Sequence, residues 1–193
     1  MRYIILTLFA CCFCVGNITA QTDSLKIGDK APLFSIVDHS GDTISLQEKL
    51  KSGKVVLVFY RGAWCPYCNK HMSHLQDSLN LILAKGASLI AITPEINQSI
   101  DKTVSKTKAT FNIVYDSTYT IMRQYGTAFK VDAATIKRYK LIGLDVEEAN
   151  GNKDHILPVP ATFIIGKDGI ILWKHFDTNY KKRSTVKEIV EHL

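Results

Sequence analysis

The stretch Val55-Val56-Leu57-Val58-Phe59-Tyr60-Arg61-Gly62-Ala63-Trp64-Cys65-Pro66-Tyr67-Cys68 is an apolar, β-branched run that ends in a Cys-Pro-Tyr-Cys motif. Such a run reads as a central strand. Two cysteines two residues apart at its C-terminal end, with an amphipathic helix behind them, read as a redox dithiol. A pair placed where a strand turns into a helix can close a small disulfide ring and reopen it without moving the scaffold. The first thiol then lies at the helix N-terminus, where unpaired backbone N–H groups and the helix dipole favour the thiolate. Cys65 is accordingly the expected nucleophile, the more acidic and more exposed of the two. Cys68, Met72, Leu75, Leu79 and Ile82 recur on one helical face, which turns Cys68 inward as the resolving thiol. Pro66 falls at the first helical position, where its missing N–H costs nothing.

Cys65, Cys68, His71 and His74 form a string that invites a zinc reading. Tetrahedral zinc takes its second ligand pair from a more distant part of the chain. His74 also lies roughly 120° from Cys68 on the helical wheel, so one helix cannot bring all four groups to one ion. His71 and His74 are expected as polar or rim residues, with a place at the site edge for His71 as the lesser alternative. The dithiol is expected to work without metal or cofactor.

Residues 1–20 have one charge, Arg2, then an apolar stretch from Tyr3 to Val15 and the small residue Ala20 before Gln21. A charged start, an apolar core too short to span a bilayer as a mature helix and a small residue at the cleavage point make a secretory signal. The alternative is lipoprotein processing at Cys11, against which bulky Phe9 stands. Of five cysteines, Cys11, Cys12 and Cys14 lie in this segment, so the mature chain keeps Cys65 and Cys68. The expected product is one domain, residues 21–193, periplasmic or secreted, without stable membrane insertion. In an oxidising compartment its two thiols need a reducing partner. The net charge of +6 is modest, and its basic residues are scattered except for Lys181-Lys182-Arg183. With no aromatic platform beside it, that run reads as a solvated patch and not as a nucleic-acid site.

Phe34–Val37 and Thr43–Ser45, around the turn residues 39–42, suggest a leading hairpin. Ala87–Ile92, ended by Thr93-Pro94, is a second buried strand, so the dithiol helix lies inside a parallel strand-helix-strand unit. A polar helix over 95–106, a short strand over 112–115 and a helix near 118–125 follow. Residues 126–152 read as an insertion over one sheet edge, helical at 133–139. Residues 157–165 form a strand entered through two prolines, and Asp168-Gly169 turns it into a hairpin with 170–173. An amphipathic helix over about 184–192 closes the chain.

The order of elements, the Trp64-Cys65-Pro66-Tyr67-Cys68 motif and a proline before the hairpin strand resemble the thioredoxin fold. More specifically, the chain resembles the peroxiredoxin-like branch of the alkyl hydroperoxide reductase/thiol-specific antioxidant family. The similar segments are residues 28–32, Phe59-Tyr60-Arg61-Gly62, Leu157 to Phe163 and the tail from Asp177 to Arg183. The resemblance implies an α/β domain with a central mixed sheet flanked by helices, an N-terminal hairpin and an insertion before the Pro160 strand. Peroxiredoxins carry Pro-x-x-x-Thr-x-x-Cys and an arginine before the Ala-Thr-Phe strand. Laid on this chain, the attacking cysteine falls on Cys68. Arg61 then stands at the proline position, Cys65 at the threonine position and Pro160 at the arginine position.

The resemblance implies an antioxidant oxidoreductase, a thiol peroxidase that reduces hydroperoxides and is recharged by a thioredoxin-like donor. Cys65 and Pro160, as used by thioredoxins, support the alternative of a periplasmic thiol-disulfide oxidoreductase acting on protein disulfides. In that picture Val159-Pro160 is a cis bond that leaves the Val159 backbone free to pair with a substrate strand. Trp64 is expected at the apolar rim, with simple core packing as the alternative, and Arg61 and backbone N–H groups are left to stabilise the departing oxygen. A remote third reading is a copper-binding module using Cys65, Cys68 and the loop residue His155.

Overall fold

The computed structural model describes residues 25–193. The segment read as a signal, including Cys11, Cys12 and Cys14, lies outside the described residues. Strand β3 (Lys54–Phe59) is the centre of a five-stranded mixed sheet, flanked in parallel by β4 (Ala87–Thr93) and antiparallel by β8 (Ala161–Ile165). Beyond these lie β5 (Asn112–Tyr115) and β9 (Ile171–Phe176), giving the order β5-β4-β3-β8-β9.

Side chains alternate across a strand, so β3 divides the core in two. Val55, Leu57 and Phe59 face one layer with Ile90, Ile92, Phe163 and Tyr125. Val56, Val58 and Tyr60 face the other, which holds Cys65, Cys68, Met72 and Leu75. The five residues Val55–Phe59 are all buried, and each large side chain so placed contributes roughly 1.5–3 kcal/mol relative to exposure. The leading hairpin is β1 (Ser35–Val37) and β2 (Thr43–Ser45), and it runs into α1 (Leu46–Ser52), which Ser45 caps.

The long amphipathic helix forms as two pieces, α2 (Pro66–Asp77) and α3 (Leu79–Ala84), broken at Ser78. Cys68, Met72, Leu75 and Ile82 keep the buried face across the break. Next come α4 (Asn97–Thr107) and α5 (Thr120–Gln124). The insertion is more structured than its sequence suggests. It holds β6 (Ala128–Lys130), α6 (Ala133–Leu141) and α7 (Val146–Asn150), and β6 pairs with β7 (Ile156–Pro158). Val131, Ile136, Val146 and Leu157 form its own small core, against which Trp64 packs. The insertion therefore meets the dithiol loop, where the sequence reading put it over a sheet edge.

The proline-entered strand is likewise two strands in two sheets. Val159 lies between them and donates its N–H to Thr127 O at 2.7 Å. Among the described residues no peptide bond is cis, so the expectation of a cis Val159-Pro160 is corrected. A trans bond continues the extended chain from β7 into β8, and the Val159 N–H is committed to Thr127. Helix α8 (Val186–Glu191) starts from a capping box between Thr185 and Glu188, which satisfies two donors reciprocally. Among the described residues no helix is long and apolar enough to cross a membrane.

Candidate active site

Cys65 occupies the N-cap of α2 with extended backbone angles, and Pro66 follows at the first helical position. Both thiols are free and buried, at 1 % exposure for Cys65 and 0 % for Cys68. Cys65 is the more exposed of the two, as expected, but only marginally: both sulfurs lie in the core layer between β3 and α2. The acidity is ordered opposite to expectation. Burial opposes ionisation of Cys68, but the hydrogen bond from the Cys65 thiol, the Arg183 guanidinium and the Arg61 N–H outweigh it and bring it down to about 6. Arg61 N and Arg183 Nη2 each lie 3.5 Å from Cys68 Sγ. Cys65 is pushed up, first by the hydrogen bond its thiol gives to Cys68 and then by burial. The pair therefore holds one proton on Cys65 and its charge on Cys68. Helix-start electrostatics are outweighed by three donors converging on the inner sulfur.

Arg183 is the residue that sequence reasoning missed. Its run was read as a solvated patch, and for Lys182, paired with Asp177 at 3.2 Å, that holds. Arg183 instead turns inward, donating through Nη1 to Tyr180 O and Lys182 O and through Nη2 to Cys68. Ser184 Oγ hydrogen-bonds Thr162 Oγ1 on β8 at 2.8 Å and lies 3.4 Å from His71 Nε2. His71 is buried, not a rim residue, and burial with the nearby Arg183 charge pushes it down to about 3, so it stays neutral.

Arg61 is buried, and its guanidinium lies 4.7 Å from the Trp64 ring centre and 4.6 Å from that of Tyr180. It also donates to the Tyr139 hydroxyl of the insertion. Its contact with Cys68 is made by the backbone N–H, not by the side chain. Trp64 is half-buried against Tyr139, 5.7 Å between ring centres, so it joins the dithiol loop to the insertion as well as rimming it. Val159 and Pro160 precede β8 on the sheet side. His155 is not brought to the cysteines as a ligand: its Nε2 pairs with Glu147 Oε1 at 2.7 Å, and among the described residues no three His, Cys, Asp or Glu groups could hold a metal.

A second residue without a sequence signal is Glu95, fully buried just after β4. Its two carboxylate oxygens accept the Ala63 N–H at 2.8 and 2.9 Å, tying down the loop before Cys65. Gly62 lies against it with φ +150°, and a Cβ there would come within 2.4 Å of Glu95 Oε1 and 2.6 Å of Trp64 Nε1. Only glycine fits that corner. Burial pushes the Glu95 carboxyl up to about 8, against the pull of the Ala63 N–H and with help from the Cys68 charge. Between its ordinary 4.5 and about 8, the folded chain keeps a proton that the unfolded chain has lost. Stability from this group is full below about 4.5 and is lost as the pH rises through about 8, at up to about 1.4 kcal/mol per pH unit. Cys68 works in the opposite sense, its contribution being present above the unfolded value of 9 and lost as the pH falls through about 6. Subtracting wild type from Glu95→Gln isolates the carboxyl. In urea unfolding, the variant's relative stability should climb between about pH 5 and 8; a difference that does not vary with pH would refute the assignment.

The AhpC/TSA family model matches residues 27–174, most of the chain. The chain belongs to the AhpC/TSA family. Among its relatives in that family's wider fold, the thiol-disulfide oxidoreductase ResA of Bacillus anthracis is 30% identical over 153 residues, 79% of this chain and 71% of the relative. Peroxiredoxin Bcp of Escherichia coli K12 is 26% identical over 102 residues, 53% of this chain and 65% of that protein. The crystal structure of peroxidoxin BcpB from Mycobacterium tuberculosis superposes with a TM-score of 0.67 at 20% identity, covering 87% of this chain and 96% of the other. The fold is thus thioredoxin-like, as peroxiredoxins have it. AhpC/TSA membership and both sets of relatives make this chain a thiol-based oxidoreductase.

Proposed function

We propose that the chain is a thiol peroxidase in which Cys68 attacks the hydroperoxide and Cys65 resolves it. The observation that carries this reading is the Arg183 guanidinium against the Cys68 sulfur. The Cys68 thiolate attacks the outer oxygen of ROOH, the O–O bond breaks, and the departing alkoxide takes a proton and leaves as ROH. Cys68 becomes a sulfenic acid. The Cys65 thiol then attacks that sulfur, water leaves, and the Cys65–Cys68 disulfide forms. A thioredoxin-like dithiol returns two electrons and two protons by exchange. The peroxide step needs fixed donors for the oxygen on which charge builds, and such donors commonly contribute about 3–4 kcal/mol. Arg183 and the Arg61 N–H meet that need at Cys68. Docking of an extended protein-disulfide substrate beside the motif also uses a free backbone edge, whereas the Val159 N–H is taken by Thr127 O.

The relatives keep the disulfide oxidoreductase reading in view, and one preparation separates the two. Reduced protein should consume hydrogen peroxide or an organic hydroperoxide far faster than a free thiol of matched pKa. A peroxide rate no better than that thiol, beside rapid reduction of a protein disulfide, would replace this reading with the second. The Arg2-apolar-Ala20 pattern supports export to the periplasm or beyond, with Gln21 as the new N-terminus. Mass spectrometry of exported protein checks this, and a lipid-modified Cys11 would overturn it.

A further inference from the structure

A cavity of about 620 Å³ runs along the outer face of α2, between Tyr67, Lys70 and His74 on one side and Lys181, Arg183 and Ser184 on the other. Arg183, whose guanidinium touches Cys68, is one of its lining residues. Three of the groups facing it, Lys70, Lys181 and Arg183, are basic side chains. His71 is neutral, and the single acid, Asp77, lies seven residues beyond Lys70, about 10 Å farther along the helix. Among the described residues none of the three cations is paired with a carboxylate. Lys181 Nζ lies 5.9 Å from the Tyr67 ring centre, and Arg183 keeps a buried Nε without an acceptor. Nothing in the peroxide step uses Lys70, Lys181 or the space between them.

We propose that this cavity holds the carboxylate of a small anionic oxidant and presents its reactive end to Cys68. The inference rests on the thiol chemistry above and adds the substrate class. A concave wall with cations of one sign raises the local concentration of an anion. Arg183 stands between the bound carboxylate and the thiolate, so its charge offsets the repulsion that would otherwise keep two anions apart. Uncharged hydroperoxides would reach Cys68 without this help.

The test uses two aromatic disulfides as probes of the reduced full chain, so that it does not depend on peroxide turnover. One is the dianionic 5,5′-dithiobis(2-nitrobenzoate), the other the neutral 4,4′-dithiodipyridine. In each case Cys68 attacks one sulfur and expels one aromatic thiolate. Cys65 then gives up its proton and attacks the mixed disulfide, expelling the second and leaving the protein disulfide. The double variant Lys70→Glu/Lys181→Glu should lower the anionic-to-neutral rate ratio at least tenfold at low salt. Lys137→Glu/Lys153→Glu, which makes the same charge change at exposed sites elsewhere, should leave it within twofold. Unchanged neutral-probe rates show that the fold is intact. An equal fall in both variants, or none in the first, overturns the proposal. Failure of the peroxidase reading looks different: peroxide rates fall to those of a free thiol while the charge preference stays.

Discussion

Replacing Cys68 by serine is expected to slow the first oxidation step by at least about a thousandfold, because the charged nucleophile itself is removed. Cys65→Ser should leave that step within about tenfold and stop turnover at the sulfenic acid, since nothing remains to displace water from it. Single-turnover mixing of reduced protein with hydrogen peroxide reads both. The rate should also titrate with a midpoint near 6, the value to which the donors around Cys68 bring it. Cys65→Ala should move this midpoint upward by removing the thiol that donates to Cys68. A serine retains a donor and should move it less. If instead Cys68→Ser keeps the fast step and Cys65→Ser loses it, the nucleophile is the helix-start thiol.

Arg183→Ala is expected to cost about a hundredfold in the peroxide step, the usual loss when one donor to a developing oxyanion is removed. The side chain has two roles on the peroxidase reading. It lowers the thiol's pKa from 3.5 Å away, and it is the donor proposed to meet the charge on the departing oxygen. Comparing the high-pH plateau of each rate profile, where the thiol is fully ionised, removes the first effect. The remaining deficit belongs to the second. No deficit on that plateau would reduce Arg183 to a pKa-setting residue. Arg61→Ala makes the contrast, because its guanidinium is spent on Trp64, Tyr139 and Tyr180 while its backbone N–H is what reaches Cys68. It should act mainly by loosening the insertion, with a smaller effect on a peroxide rate measured on folded protein.

The central strand, its parallel partner, the leading hairpin and the dithiol at the helix start were legible because each is written in contiguous residues. A continuous apolar, β-branched run gives Val55 to Phe59, and helical periodicity gives Cys68, Met72 and Leu75. Arg183 was not legible, because it reaches Cys68 across 115 residues of chain and is indistinguishable in sequence from Lys182 beside it. The acidity order of the two cysteines went the same way. The local rule for a helix N-terminus favours Cys65, and only the assembled fold brings Arg183 and the Arg61 N–H to the other sulfur. Glu95 was hidden in what looked like the polar start of a helix, since burial of a carboxyl after a Thr-Pro pair leaves no periodic trace. The elements missed outright, α1, β6 and α7, have seven, three and five residues, too short to show a sustained period.

The alternation along β3 also governs how this chain can change its length. One residue gained or lost between Lys54 and Tyr60 would exchange the two layers, sending the Phe59 side toward α2 and carrying the dithiol to the opposite face. The spacing from β3 to Cys65 is therefore closed to insertion and deletion. The connection between α4 and β5 has no such parity to keep, and lengthening it adds only the slowly growing cost of closing a larger loop. Variation in length among chains built on this plan should accumulate there and in the insertion, with the interval from Lys54 to Cys68 held constant.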